Sequence, residues 1–154
     1  FCHYGLAAMG SGLPIAMGVQ LADPSRPVLC VIGDGGFLTY AGDLHALAQA
    51  DLAVICVVMN NGCYKQVGDR MRKWLNSDFH CSIGEVDCAA IARGCGCDGY
   101  TVVSAGELHD AVEQALERRK PAVIDIKVEG DSLLDVMSDD LLKFADGLLG
   151  KRSQ

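Results

Sequence analysis

The sequence has little that suits a nucleic-acid-binding or membrane-spanning protein. Its 154 residues carry a formal net charge of −7, and no basic stripe is present to meet phosphates. This argues against nonspecific nucleic-acid binding, which depends on such a stripe. No apolar run approaches the roughly 20 residues that cross a bilayer. The chain does not open with the basic and then apolar segments of a secretory signal.

Internal repeats and low-complexity segments are also lacking. The composition, 50% hydrophobic and 21% charged, is that of an ordinary globular protein. A length of 154 residues predicts a single domain, since domains average roughly 150 residues. Because the first residue is not Met, we expect a piece of a longer protein or a processed chain.

Eight cysteines are present, but no Cys-x-x-Cys pair of the kind typical of zinc sites. Cys30 and Cys56 fall in predicted core strands, where a free thiol behaves as a small apolar group. We therefore expect reduced thiols and a cytoplasmic protein. The alternative is a zinc cluster built from four potential ligands: His80, Cys81, Cys88 and Cys95.

Apolar periodicity predicts strands that alternate with helices. The predicted strands cover 28–32, 53–59, 100–103 and 122–128. The predicted helices cover 13–22, 37–50, 85–93 and 104–119, with Ser104 and Glu107 forming a capping box. Between them, 63–84 is expected to be a loop with a short helix over the site. We predict an α/β fold, a doubly wound parallel sheet flanked by helices in one domain, with a helical tail over 129–154.

The chain is organised around Gly33-Asp34-Gly35-Gly36, at the turn from a predicted buried strand into a predicted helix. Glycine permits close approach of the backbone, and a helix N-terminus there favours an anion by up to about 2 kcal/mol. These features predict a phosphate cradle. Because Asp34 would repel phosphates, the turn requires a hard cation, Mg²⁺ or Ca²⁺. The alternative role for Asp34 is a helix N-cap.

Asn60-Asn61-Gly62 ends the next predicted strand. Ligands of open α/β sheets bind at the carboxyl ends of strands. Asn61 can supply a carbonyl oxygen to the same cation, and loop carbonyls can add another. The alternative for Asn61 is an ordinary turn residue.

These motifs together resemble the cofactor signature of thiamine diphosphate enzymes. A strand precedes both Gly33-Asp34-Gly35 and Asn60-Asn61, and the upstream segment is GLAAMGSGLPIAMG, residues 5–18. That segment is similar to its counterpart in the acetolactate synthase and 2-oxoacid decarboxylase branch. The resemblance runs from about Phe1 to Val128 and is to the C-terminal, diphosphate-binding domain.

The resemblance implies thiamine diphosphate and Mg²⁺ as cofactors. Asp34, Asn61 and the carbonyl of Cys63 would hold the cation. The other expected cofactor contacts are Ala7, Met9, Gly33, Gly35, Gly36, Phe37 and Tyr64. Among these, the N–H groups of Gly35 and Gly36 would meet the diphosphate, and Met9 would support the bent cofactor unless it is ordinary core filling.

The substrate implied is a 2-oxoacid, with Gln66 and Val67 as candidates for its pocket; their alternative is a solvated loop. Pyruvate decarboxylases carry a glutamate at the position of Val67. Acetolactate synthases carry a tryptophan at the position of Arg70. Neither residue is present here, so decarboxylation and carboligation both remain open.

Two elements of the family pattern are missing from this chain. The glutamate that activates the cofactor comes from a separate pyrimidine-binding domain, usually of a neighbouring subunit, so no catalytic residue is expected here. Family members also carry a strand and helix before residue 1. We therefore expect a homo- or hetero-oligomer, with an apolar cleft surface that includes Leu6, Met9, Phe37 and Tyr64.

Two alternative functions remain open. A nicotinamide-binding Rossmann domain needs Gly-x-Gly-x-x-Gly, but Leu38 stands where the third glycine belongs. A noncatalytic subunit of the same fold would keep the architecture without turnover, although the intact Asp34 and Asn61 argue against it.

Overall fold

A four-stranded parallel sheet forms the centre of the described structure. The computed structural model describes residues 8–128. The strands are β1 (Val28–Gly33), β2 (Val54–Asn60), β3 (Asp98–Val102) and β4 (Ala122–Lys127). Their order is β1-β2-β4-β3, and every neighbouring pair is parallel. The predicted doubly wound α/β fold is confirmed. The expected tail over 129–154 lies outside the described residues.

Six helices connect and flank these strands within the described residues. They are α1 (Gly12–Ala22), α2 (Asp34–Thr39), α3 (Asp43–Gln49), α4 (Lys65–Leu75), α5 (Cys88–Gly94) and α6 (Ala105–Arg118). One face of the sheet packs against α1, α2, α3 and α5, and the other packs against α6. Apolar burial on both faces is what fixes helices to a parallel sheet.

The central and edge strands differ in burial. Along β2, nearly every residue is buried, as expected for a strand covered on both faces. At the edge of the described sheet, β1 buries Cys30 but leaves Leu29 and Val31 exposed at 49% and 65%. The prediction that 28–32 is a fully buried strand is therefore wrong for the described residues, because no described helix covers the α6 side of β1.

The prediction of one helix over 37–50 is also wrong. The chain forms α2 from Asp34 and then α3 from Asp43, with a break between them. Thr39 Oγ1 donates to the carbonyl of Gly35 at 2.8 Å, a local bond that competes with continued helix. The break falls at Tyr40-Ala41-Gly42, and glycine has low helix propensity. Because α2 begins at Asp34, the glycine motif itself forms its first turn.

Half of the predicted capping box is confirmed at α6: Ser104 caps the helix, but the Glu107 side chain bonds to Val103 instead of to the N-cap residue. The N–H of Glu107 donates to Ser104 Oγ at 3.3 Å, and Glu107 Oε2 accepts from the Val103 N–H at 2.8 Å. The helix predicted at 85–93 begins later, at Cys88, because Asp87 caps it by accepting from the Ala90 N–H at 2.7 Å. Local side-chain bonds thus set where both helices begin.

Candidate functional site

Asp34 lies at the carboxyl end of β1, in the first turn of α2. Its side chain is only 3% exposed. Oδ1 accepts from the Gly35 N–H at 2.8 Å, and Oδ2 accepts from the Gly62 N–H at 2.7 Å. The N-cap of α2 is Gly33, so the alternative of Asp34 as an N-cap is not supported. A single carboxylate thus joins the end of β1 to the turn after β2.

The turn after β2 carries the other two expected cation ligands, Asn61 and Cys63, on either side of Gly62 in the chain, and Gly62 bonds to Asp34. Asn61 Oδ1 accepts from the N–H of Cys63 at 3.2 Å and from Cys63 Sγ at 3.4 Å. Such a bond to the residue two positions on is an Asx turn. Gly62 has φ of +69°, a conformation that glycine tolerates and other residues rarely adopt. Asn61, Gly62 and Cys63 are therefore held in a tight turn facing Asp34.

The Cys63 thiol is a neutral member of this group. Partial burial, and then the nearby Asp34 carboxylate, raise the pKa of the Cys63 thiol. A protonated thiol is a weak donor, so its contact with Asn61 Oδ1 is the easier of the two to exchange for a cation. The resulting set of one carboxylate and neutral oxygens is what Mg²⁺ accepts when phosphate supplies further ligands.

The glycines of the motif differ in their surroundings. Gly33 has φ of −82° and open space where a side chain would project, so neither its backbone nor its neighbours in the described chain require glycine. Space kept open beside a carboxylate suits the close approach of a ligand. The N–H of Gly35 is already donated to Asp34. A diphosphate would therefore have to share or displace that bond, which the sequence did not indicate.

The side chains of Met9 and Tyr64 both lie close to Gly35. A methyl group on Gly35 would stand 2.5 Å from the Tyr64 ring and 3.3 Å from Met9 Cε. Both side chains are exposed, so Met9 is not core filling. The structure thus brings together Met9, Gly35 and Tyr64, three residues far apart in sequence. Ala7 and Leu6 lie outside the described residues.

Two further expected residues lie on the first turn of α4. Gln66 and Val67 are both exposed, beyond the Tyr64 N-cap. The segment that contains them is closed at its ends, because the Tyr64 N–H donates to the carbonyl of Cys81 at 2.8 Å and the Ile83 N–H to that of Gly62 at 2.7 Å. The predicted loop with a short helix therefore contains the three-turn helix α4, and backbone hydrogen bonds join the two ends of the segment.

Phe37 does not belong to an exposed cleft surface. Its side chain is 1% exposed and packs in the core between the sheet and its helices. The expectation that Phe37 contributes apolar surface to the cleft is wrong, because it points inward from α2. Only its backbone could meet a ligand.

Sequence reasoning missed a buried polar cluster behind the site. Asp125 is 0% exposed and accepts from Asn60 Nδ2 at 2.9 Å, from the Cys88 N–H at 3.0 Å and from Lys127 Nζ at 2.9 Å. Burial and then the Asp125 charge raise the pKa of the Cys88 thiol to about 12. The available signal was the acidic residue inside the apolar run of β4, since a carboxylate there must be hydrogen-bonded.

An open cleft of about 810 Å³ lies at the carboxyl ends of β2 and β4, beside this cluster. Its lining residues are Asn60, Asn61, Gly62, Gly84, Glu85, Val86, Asp87, Thr101, Lys127 and Val128. The position follows the rule that open α/β sheets bind ligands at the carboxyl edge.

The zinc alternative finds no support in the described structure. Across residues 8–128, no three or more His, Cys, Asp or Glu side chains are grouped to hold a metal ion. Seven cysteines in that range are free: Cys30, Cys56, Cys63, Cys81, Cys88, Cys95 and Cys97. Among the described helices, none is long and apolar enough to cross a membrane.

The fold and site define an α/β domain suited to a phosphate-bearing cofactor. A family model described as the thiamine pyrophosphate enzyme, C-terminal TPP binding domain, matches residues 1–126; thiamine pyrophosphate is the same compound as thiamine diphosphate. The chain therefore belongs to this family of thiamine diphosphate-binding domains. The resemblance stated from the motifs is confirmed.

Individual relatives agree with the family assignment. The chain is 30% identical over 139 residues to an acetolactate synthase of Bacillus subtilis, which covers 90% of this chain and 24% of the relative. It is 35% identical over 127 residues to an acetolactate synthase large subunit of Parasynechococcus marenigrum, covering 80% and 21%. A thiamine diphosphate-dependent 4-hydroxybenzoylformate decarboxylase of Rhodococcus jostii superposes with a TM-score of 0.74 at 32% identity, covering 79% and 23%. The chain thus spans about a quarter or less of these proteins.

Proposed function

We propose that this domain binds thiamine diphosphate together with Mg²⁺, as the diphosphate-binding half of a 2-oxoacid decarboxylase or carboligase. The observation that carries the proposal is the buried Asp34 carboxylate, hydrogen-bonded to the N–H groups of both Gly35 and Gly62. It joins the glycine turn to the Asn61 turn, so one cation there would contact both. A carboxylate beside a diphosphate needs such a cation between them.

The residues that would hold the cation are Asp34, Asn61 through Oδ1, and Cys63 through its carbonyl. When bound, thiamine diphosphate supplies a carbanion that adds to a carbonyl and then serves as an electron sink. The chain's own residues bind and orient the cofactor. Gly33 would leave room for it, and Met9 and Tyr64, which lie close to Gly35, would contact it.

The 2-oxoacid substrate and the choice between decarboxylation and carboligation belong to the proposal. Val67, exposed on α4, lies where the resemblance places substrate-pocket residues, and an apolar side chain there cannot transfer protons. Proton transfer at that position must therefore come from another group. This supports a pocket completed by another domain.

We further propose that a pyrimidine-binding domain and additional elements of the same domain complete the protein, and that it works in the cytoplasm. The free thiols described above support a reducing compartment. The exposed Leu29 and Val31 on the outer strand β1 support a further covering element on that face, because contiguous exposed apolar groups usually mark contact surfaces.

Calorimetry tests the cofactor directly. We expect thiamine diphosphate to bind in the presence of Mg²⁺ and to bind much more weakly when a chelator removes the cation. NAD serves as the comparison ligand, since a Rossmann domain would bind it without a metal. Binding of NAD instead of thiamine diphosphate, or equal thiamine diphosphate affinity with and without chelator, would contradict the proposal.

The isolated chain is expected to self-associate through exposed apolar groups of α4 and its N-cap Tyr64. Tyr64 and Val67 are exposed, and so are Trp74 and Leu75 at the other end of α4. The change Trp74→Glu should lower the association seen by sedimentation, whereas Leu21→Glu, at an equally exposed position on α1, should not. A wild-type chain that stays strictly monomeric at high concentration would show that this surface is not an interface.

A further inference from the structure

The buried carboxylate of Asp125 is connected to the cation-binding turn through Asn60. On the face of the sheet that packs α5, Asn60 Nδ2 donates both to Asp125 Oδ1 at 2.9 Å and to the Val86 carbonyl at 2.8 Å. Asn60 is itself 5% exposed. Asn60 is the last residue of β2 and directly precedes Asn61. The orientation of Asn60 is therefore fixed by the buried Asp125 carboxylate and by the backbone carbonyl of Val86.

The two asparagines of the motif have separate contacts. Asn60 turns into the protein toward Asp125, whereas Asn61 closes the turn with Cys63. Gly62 then donates to Asp34 Oδ2 at 2.7 Å. The three residues 60–62 thus make three different attachments. Asn60 bonds to β4, Asn61 bonds within its own turn, and Gly62 bonds to Asp34 at the junction of β1 and α2. Movement of Asn60 would shift the turn that carries Asn61.

The second carboxylate oxygen of Asp125 has hydrogen-bond partners of its own. Oδ2 accepts from the Cys88 N–H at the start of α5 and from Lys127 Nζ, and Lys127 Nζ also donates to the Val86 carbonyl at 2.7 Å. A buried charge is tolerated when its lone pairs are used in this way. Removing one partner from such a network leaves the remaining polar groups unsatisfied.

We propose that Asp125 is a positioning residue for the divalent cation: through Asn60, it holds the Asn61-Gly62 turn against Asp34. This inference rests on the proposed function for the identity of the ligand. The contact that Asp125 is proposed to maintain, from the Gly62 N–H to Asp34, is present without a ligand. Asp125 touches neither the cation ligands nor the cleft; its effect passes through Asn60. The sequence could not show this, since 65 residues separate the two partners.

The test replaces Asp125 with a residue of the same shape. In Asp125→Asn, the single amide oxygen is needed by the Cys88 N–H and Lys127 Nζ. The new Nδ2 would then face Asn60 Nδ2, so two donors meet. We expect affinity for Mg²⁺ with thiamine diphosphate to fall at least tenfold by calorimetry. We also expect hydrogen exchange at the Gly62 amide to accelerate beyond the change in global stability. The matched control is Asp98→Asn, at the far end of β3, where the carboxylate pairs with Arg118 at 2.7 Å.

A double variant separates positioning from simple loss of stability. Asn60→Asp combined with Asp125→Asn restores one donor and one acceptor across the contact, although it removes the bond from Asn60 to the Val86 carbonyl. We expect it to recover a substantial part of the affinity and of the Gly62 protection. A purely structural role for the Asp125 charge would leave the double variant no better than Asp125→Asn.

The outcomes can be distinguished. Wild-type affinity and Gly62 exchange in folded Asp125→Asn, or losses matched by Asp98→Asn, would overturn the inference. If the wild-type chain binds no cofactor, the proposed function fails, and Gly62 exchange alone decides the role of Asp125. If Asp125→Asn does not fold, Lys127→Met removes one of the carboxylate's partners at a half-exposed position. Lys127→Met should then lower the cofactor affinity and accelerate Gly62 exchange by smaller factors than expected for Asp125→Asn. No change in either measurement would overturn the inference.

Discussion

Replacing Asp34 is expected to weaken metal-dependent thiamine diphosphate binding at least tenfold, a loss of about 1.4 kcal/mol or more. Asp34→Ala removes the carboxylate that would face the cation and also leaves the N–H groups of Gly35 and Gly62 without their acceptor. Asn61→Ala should cause a loss of similar order while leaving both Asp34 bonds intact. Calorimetric titrations with Mg²⁺, and with a chelator in its place, measure the effect.

The two variants and one control separate ligand loss from structural damage. Asp34→Ala should lower both affinity and the thermal midpoint, because its two hydrogen bonds hold the turn. Asn61→Ala should lower affinity with less effect on the midpoint. Asp110→Asn, an exposed acid on α6 on the opposite face of the sheet, should change neither. Undiminished metal-dependent binding in both Asp34→Ala and Asn61→Ala would exclude these residues as cation ligands.

Local patterns were sufficient to predict the core of this site. Asp34 follows an apolar strand and opens a helix, and Asn61 follows the next apolar strand; parallel strands bring such ends to one edge. The bond from Gly62 to Asp34 shows how closely they meet. The pairing needed only that β1 and β2 be parallel neighbours. The alternation of strands and helices indicates the direction, and consecutive strands are usually adjacent.

Features that depend on distant or missing neighbours could not be predicted. Asn60 and Asp125 meet only because β2 and β4 are adjacent, although β3 and α6 lie between them in the chain. The inward position of Phe37 follows from α2 beginning at Asp34, which apolar spacing placed three residues later. The exposure of Leu29 and Val31 depends on what covers β1, which the strand's own composition does not encode.

The chain alone is expected to show no turnover of pyruvate or another 2-oxoacid, even with thiamine diphosphate and Mg²⁺ bound. The resemblance stated from the motifs implies that a glutamate from a separate domain activates the cofactor. Two of the described acids near the Asn61 turn already have partners: Asp34 is held by two backbone N–H groups, and Asp69 pairs with Lys65 and Arg72 at 3.0 Å. Neither is placed as a free carboxylic acid beside an apolar cofactor ring.

Adding a candidate pyrimidine-binding partner should restore turnover if that partner supplies the glutamate. The informative comparison is the same partner with its candidate glutamate changed to glutamine, which should still associate with this chain but give no product. Carbon dioxide release and carboligation product are measured in parallel, so that either reaction is detected. Binding of the cofactor by this chain without turnover, followed by turnover with the intact partner, fits half of a shared active site.

Product formation by the purified chain alone would instead mean that the chain carries its own activating acid. The exposed Glu85 at the edge of the cleft would then be the first residue to substitute.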